Sequence, residues 1–319
     1  MSEYKTIIPD PGEYRKLITS EILDFNGSIF YEPNFIDIAS SIFGYLFKPV
    51  ILLKDNNVAG IGNFLIGGRW PVRNAAIPPL FQYYGPANFT DDPEVFRYIV
   101  KPLENQIDSA VFSLVPDRYE LFDIHGWSRV PRLTYLLLTG DYDSMLKNCR
   151  QNARRNAHLA EKHGAQFEEV ETVPYDIYLK TFSRHGKQPF IDKDKLGNWI
   201  SRLINENLVK TFIAKIDAKP VAFRTILYYG RFSYFWFNGT LPEYLRSGVS
   251  SYLTLKVGEY LHERGIESID MVGGDLKQIA DFKKSFGGKP VKHLQVERCF
   301  TLKGRFYRDL MKLRARLNG

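Results

Sequence analysis

The sequence predicts a mixed α/β (α+β) protein made of two copies of one α/β unit. A hairpin, a third strand, a helix, a buried strand, an Asp-capped helix, a glycine and a final strand are expected over residues 49–138. The same order recurs over residues 209–302. Within the second copy, Ile266, Ile269 and Met271 form a short buried strand that ends at Gly273-Gly274. Asp275 is the expected cap of a helix with Leu276, Ile279, Ala280, Lys283 and Phe286 near helical spacing, closed by Gly287-Gly288. A strand, a glycine turn and a helix bring N–H groups and a lysine to a strand's end, common ground for ligand binding in α/β proteins. The copies differ there. The first has Val115-Pro116 in place of the glycine pair, and Phe122 or Asp123 in place of Lys283.

Taken in order, Asp10-Pro11-Gly12-Glu13 opens a helix with a capping box, and a second helix follows Glu32-Pro33. Residues 49–53 and 58–66 read as a hairpin about Asp55-Asn56-Asn57. Gln82 to Pro86 is a strand end, Asp91-Asp92-Pro93 caps a helix to about Asn105, and residues 111–114 are a buried strand. Asp117 caps a short helix ending at His125-Gly126-Trp127, and residues 133–138 are a strand. Residues 141–163 read as one long helix, basic over 147–156 and ended by Gly164. A strand at 167–170, helices at 174–183 and 193–207, and antiparallel strands at 209–216, 221–229 and 232–238 follow. A helix at 249–264, the glycine-turn stretch, a strand at 294–302 and a last helix from Gly304 complete the chain.

Composition narrows the class. The chain has 319 residues and 44% hydrophobic content, enough for one large domain or two ordinary ones. Met1-Ser2-Glu3-Tyr4-Lys5 has no apolar stretch behind it, so no signal peptide is expected. The apolar segment 42–53 is interrupted by Lys48-Pro49 and is too short to span a bilayer. Cys149 and Cys299 are too far apart for a metal motif and read as two buried thiols of a reduced compartment. A cytoplasmic protein, peripheral at most to the inner membrane face, is expected. From Lys289 onward nine Lys and Arg face only Glu297 and Asp309, which accounts for the entire net charge of +7. The body is neutral, and only the tail argues for a polyanion or a membrane surface.

Several stretches together carry a resemblance. They are Arg150, Arg154 and Arg155 on a helix, Val221-Ala222-Phe223 after a Lys-Pro turn, and Tyr234-Phe235-Trp236-Phe237. Gly248 to Leu253, Arg264-Gly265-Ile266 and the Phe-Lys-x-x-Phe-Gly-Gly motif of 282–288 complete the set. In order and spacing they resemble the FemAB-type members of the acetyltransferase (GNAT) superfamily, most strongly over 141–300. The resemblance implies two tandem acetyltransferase-like domains, here 1–145 and 146–303, with a basic helix at 304–319 packing back on the first. It implies transfer of an aminoacyl or acyl group to an amine or hydroxyl of a peptidoglycan, polysaccharide or other cell-envelope precursor. No metal or cofactor is implied, and Lys283 matches the lysine at the family's reaction centre. Thioester-using acetyltransferases cradle a pyrophosphate with Arg/Gln-x-x-Gly-x-Gly/Ala. Here Leu245 stands at the basic position and Ser250 at the last, which favours another donor such as aminoacyl-tRNA. Arg246, Gly248 and Ser250 are still the candidate residues for a donor phosphate. An acyl-CoA or acyl-carrier-protein dependent N-acyltransferase, and a non-catalytic tRNA- or glycan-binding protein, are the alternatives.

Acyl transfer to an amine needs a neutral nucleophile, a carbonyl held near it and charge at the carbonyl oxygen. Lys283 is expected to supply that charge; the plain alternative is a surface lysine. Arg154 and Arg155, with Arg150, suit a phosphate or else form a solvated face. Arg224, in an apolar strand, needs a ligand or an acidic partner. His185 is the candidate titrating base, or an exposed loop histidine. Tyr84, Trp236 and Tyr252 are candidates to wall a sugar or adenine site, or belong to the core. Gly273, Gly274, Asp275 and Phe282 complete the substrate-binding set. In the tail, Phe306, Leu310, Leu313 and Leu317 form one stripe and Arg305, Arg308, Lys312 and Arg316 another. The first is expected to dock on the body and the second to face tRNA, or the helix to lie on an anionic membrane.

Overall fold

A computed structural model describes residues 4–68, 71–116, 122–184, 186–189 and 191–317, with side chains up to Leu313 in the last helix. The chain forms two compact units, Met1–Arg132 with Lys292–Gly319, and Leu133–Val291.

The first unit starts with β1 (Tyr4–Ile7), α1 (Pro11–Leu17), α2 (Pro33–Phe43), β2 (Leu46–Lys54) and β3 (Asn57–Gly67). It continues with β4 (Asn74–Ala75), β5 (Pro86–Asn88), α3 (Val95–Val100), β6 (Ser109–Leu114) and the beginning of β7 (Ser128–Leu138). The predicted capping box closes α1: Glu13 N donates to Asp10 at 2.8 Å, and Asp10 N to the Glu13 carboxylate at 3.1 Å. Asp55 and Asn56 take φ of 50° and 64°, the left-handed pair that a two-residue hairpin turn needs between β2 and β3. The expected helix after Asp91-Asp92-Pro93 is shorter than its pattern, ending in a 3-10 turn at Leu103. The helix expected after Asp117 lies outside the described residues.

The second unit holds α4 (Tyr142–Asn148), α5 (Gln151–Lys162), β8 (Gln166–Val170), α6 (Tyr175–Arg184) and α7 (Lys193–Asn205). Then come β9 (Val209–Ile216), β10 (Lys219–Tyr229), β11 (Phe232–Thr240), α8 (Val249–His262), β12 (Ser268–Asp270) and α9 (Lys277–Ser285). The single helix expected over 141–163 is broken. Cys149 and Arg150 are extended, with ψ of 150° and 156°, and Arg150 N donates to Ser285 O at 2.7 Å. The break satisfies a carbonyl at the end of α9 that the helix itself leaves open. Cys149 is buried, whereas Cys299 is only half-buried, so one of the two thiols departs from expectation.

β13 (Lys289–Cys299) carries the chain back into the first unit, where α10 (Leu302–Leu317) ends it. In the first unit β2 lies antiparallel between β1 and β3, β3 pairs with β4, β4 runs parallel to β6, and β6 pairs antiparallel with β13. In the second, β8, β9, β10 and β11 are antiparallel neighbours, β11 runs parallel to β12, and β12 pairs antiparallel with β7. The duplication is therefore real, and the closing strands are exchanged. The sequence pattern assigns residues 133–138 to the first copy and 294–302 to the second. Instead Leu136, Leu137 and Leu138 pair with Asp270, Ile269 and Ser268, and Leu294 to Cys299 pair with Leu114 to Ser109. Alternation of apolar residues shows that a segment is a strand but not which distant strand it joins.

Candidate active site

The glycine turn after β12 is built under strain. Val272, a β-branched residue, takes φ of 49° in the left-handed region, and Gly273 follows at 71°. Asp270, 1% exposed, holds the turn: its carboxylate accepts from Val272 N at 2.8 Å and from the Thr134 hydroxyl. Gly274 is held against β7, since a Cβ there would come within 2.6 Å of the Tyr135 ring and 3.0 Å of Leu133 O.

Lys283 sits over this turn, only 5% exposed. Its Nζ donates to the carbonyls of Val272 and Gly273, and lies 6.0 Å from the centroid of the Tyr135 ring. An ammonium has three donors, so one is left for another acceptor. Burial lowers the Lys283 pKa to about 8; Asp270 and Asp275 oppose that shift, while the charge of Arg224 adds to it.

Arg224, 4% exposed on β10, has its guanidinium carbon 4.0 Å from the centroid of Phe235. Its Nε is buried without a hydrogen-bond partner among the described residues, and burial lowers its pKa to about 9. Two buried cations of one unit thus lie within electrostatic reach of each other. Asp270 and Asp275 offset part of the charge at Lys283, whereas Arg224 is faced by the Phe235 ring, so an anionic ligand would be favoured beside it.

The other candidates divide. Asp275 does not cap α9: the cap position is Leu276, without a side-chain bond, and the Asp275 carboxylate accepts from Leu133 N at 3.3 Å. Leu276 and Ile279, expected on the buried stripe, are 66% and 43% exposed, while Ala280 and Lys283 are buried. Phe282 is half-buried, its ring edge-on to Phe286 at 4.9 Å. Arg154 and Arg155 are exposed on α5 with no ion pair among the described residues. Arg150 stands at the break before α5, off the shared helix face expected for the three.

Arg246, Gly248 and Ser250 share the turn that opens α8. Gly248, at φ 83°, packs so closely on the Asn156 carbonyl of α5 that no Cβ fits, which explains this glycine without a phosphate. The three aromatic candidates are buried side chains, and Tyr252 also lines a pocket with Lys256 and Tyr260. Tyr84 is fully buried in the first unit, where its hydroxyl accepts from Leu65 N at 2.9 Å and donates to Leu65 O at 3.1 Å. Trp236 packs edge-on against Trp199 at 4.7 Å, and Tyr252 faces Tyr142 at 6.5 Å; both are buried. Aromatic residues at strand or helix spacing filled the core, as their apolar area favours. His185 lies outside the described residues. Thr134 and Tyr135 are the residues that pattern reading missed: they come from the strand assigned to the other copy, and a buried threonine in an apolar strand was their only signal.

Residues 147–284 match the family model described as Acetyltransferase (GNAT) domain. No curated protein matches the sequence. Among solved structures, FemX superposes with a TM-score of 0.68 at 11% identity, covering 95% of this chain and 99% of that one. The C-terminal domain of a putative lysylphosphatidylglycerol synthetase from Agrobacterium fabrum gives 0.56 at 14% identity, covering 90% and 92%. A tandem GNAT protein from the clavulanic acid biosynthesis pathway gives 0.56 at 11% identity, covering 94% and 99%. The chain therefore shares its fold with FemX and with a tandem GNAT protein over nearly its whole length, and residues 147–284 carry the matched GNAT domain.

Proposed function

We propose that the protein is an acyltransferase that moves an aminoacyl or acyl group onto an amine, or a hydroxyl, of a cell-envelope precursor. The observation that carries the reading is the buried Lys283, held by the Val272 and Gly273 carbonyls with one donor left over, within electrostatic reach of Arg224, whose Nε has no hydrogen-bond partner among the described residues. When an amine attacks an ester or thioester carbonyl, a C–N bond forms, the carbonyl oxygen gains charge, and the C–O or C–S bond then breaks. In net terms the amine's proton leaves with the alcohol or thiol. A fixed, desolvated cation at the oxygen stabilises that charge without reorganising. Arg224 suits a second anionic group on donor or acceptor, such as a phosphate or carboxylate. The lysylphosphatidylglycerol synthetase is named for an aminoacylated membrane lipid, which favours an aminoacyl group and an envelope acceptor here. Leucine rather than a basic residue at 245 favours aminoacyl-tRNA over a coenzyme A thioester as donor.

The test is turnover with charged tRNA and with acyl-CoA as alternative donors, followed by transfer of label to an envelope precursor. Lys283→Met is expected to lose about 100- to 1,000-fold in kcat/KM, the usual cost of one oxyanion donor. Lys284→Ala, whose ammonium only flanks the Tyr135 ring at 5.9 Å, is expected to stay within about twofold because surface changes away from the chemistry are mild. Full activity in Lys283→Met removes this site from the reaction.

A further inference from the structure

α10 shows its apolar side to solvent. Leu302, Phe306, Leu310 and Leu313 are 80%, 73%, 50% and 54% exposed. At 100° per residue they fall within an arc of roughly 80° along three turns. The opposite side faces the first unit. There Gly304 packs on the Asp108 carbonyl too closely for a Cβ and Arg308 reaches Glu297 at 3.4 Å, while from the two margins of the stripe Lys303 reaches Asp108 at 3.2 Å and Lys312 reaches Glu297 at 3.4 Å. The helix is thus turned over relative to the first of the two expectations: Lys303, Arg308 and Lys312 hold it to the body, and the apolar stripe points away. The side chain of Arg316 lies outside the described ones.

We propose that this stripe is a membrane-docking surface that enters the interface of an anionic lipid bilayer. Monomeric proteins seldom expose four large apolar side chains in one continuous patch without a partner. Charge selects the partner. Arg305 flanks the stripe on one side, exposed and with no ion pair among the described residues. Lys312 beside it and Lys303 on the other side keep their contacts to Glu297 and Asp108 but are still 59% and 48% exposed, and the only acid of the helix, Asp309, is engaged by Arg308 at 3.1 Å. A lipid interface takes leucine and phenylalanine into its acyl boundary while its phosphates meet the flanking cations. A second copy of the chain would instead bring two tails of the same positive sign together. An RNA backbone would pair with the cations and leave the leucines exposed. Among the described residues no helix is long and apolar enough to cross a membrane, so the surface attaches and does not span. The proposal concerns attachment and does not depend on the reaction proposed above.

The experiment is co-sedimentation of the full chain with vesicles of phosphatidylcholine alone and of phosphatidylcholine with phosphatidylglycerol. Binding to the anionic vesicles is expected to be at least about tenfold stronger, and Phe306→Ser/Leu310→Ser is expected to lose about tenfold or more of it, as lost apolar insertion requires. Both positions are exposed, so an unchanged thermal melt confirms that the variant is folded. Phe306→Trp is expected to shift its emission to the blue with anionic vesicles only. Equal binding by the serine variant, or no binding at low salt, overturns the proposal. So does a dimer in sedimentation that the serine variant dissociates, or tRNA binding without vesicle binding.

Discussion

At the scale of single residues, the site concentrates unfavourable states in a few positions. Val272 is held in a backbone region costly for a β-branched residue, and Lys283 and Arg224 are charged groups out of water. Strain of this kind persists where surrounding structure fixes it and where it serves a purpose. The Lys283 titration gives two linked predictions. Below about pH 8 the ammonium is protonated in both the folded and unfolded chain, and the full cost of its burial is present. Between about 8 and the ordinary value of 10.5 the unfolded chain binds more protons, so stability rises with pH. In urea titrations at pH 7 and pH 10, wild type is expected to gain stability relative to Lys283→Met; a constant difference contradicts a depressed pKa. Activity should move the other way. If the protonated lysine stabilises the oxyanion, kcat/KM falls as pH rises through about 8, and a profile flat to pH 10 argues against that role. Lys283 itself was legible in the sequence through its motif. Its depressed pKa was not, because burial of one helix face rather than another depends on which neighbours arrive.

At the scale of elements, local chemistry was read well and element ends less well. Capping and turn signals act within a few residues, so the α1 capping box and the Asp55-Asn56 turn were predictable from composition alone. The break between α4 and α5 was not, because the 141–163 pattern has no glycine or proline inside it. What ends α4 is a tertiary hydrogen bond from Arg150 N to Ser285 O, which a helical Arg150 could not make. The face of α9 was misread for the same reason: the exposed Leu276 and Ile279 lie beside a lysine that the turn carbonyls draw inward. Gly248 gives the prediction at this scale. Its φ of 83° and its contact with the Asn156 carbonyl leave no room for a methyl group. Gly248→Ala is expected to destabilise the second unit by on the order of 2 kcal/mol or more. A melt within a degree of wild type would show that α5 and α8 can separate at no cost, and would return the glycine to a ligand-binding explanation.

At the scale of the whole molecule, duplication was visible in the sequence because both copies repeat the same order of hairpin, third strand, helix and parallel strand. The exchange of closing strands was invisible. β7 and β13 both read as strands, and nothing local to either states a partner. The consequence is specific. Removing everything after Val291 deletes the strand pairing with Ser109 to Leu114 of β6, and leaves the second unit with β7 against β12. β6 then becomes an open edge with a row of unpaired backbone groups. If the closing strands stayed with their own copies, the same deletion would instead damage the half that carries Lys283. Limited proteolysis of the chain ending at 291 decides between these. Rapid cleavage within residues 4–132 and a resistant core beginning near 133 are expected. Preferential cleavage within 209–285 would show that the second unit, not the first, depends on the C-terminal strand.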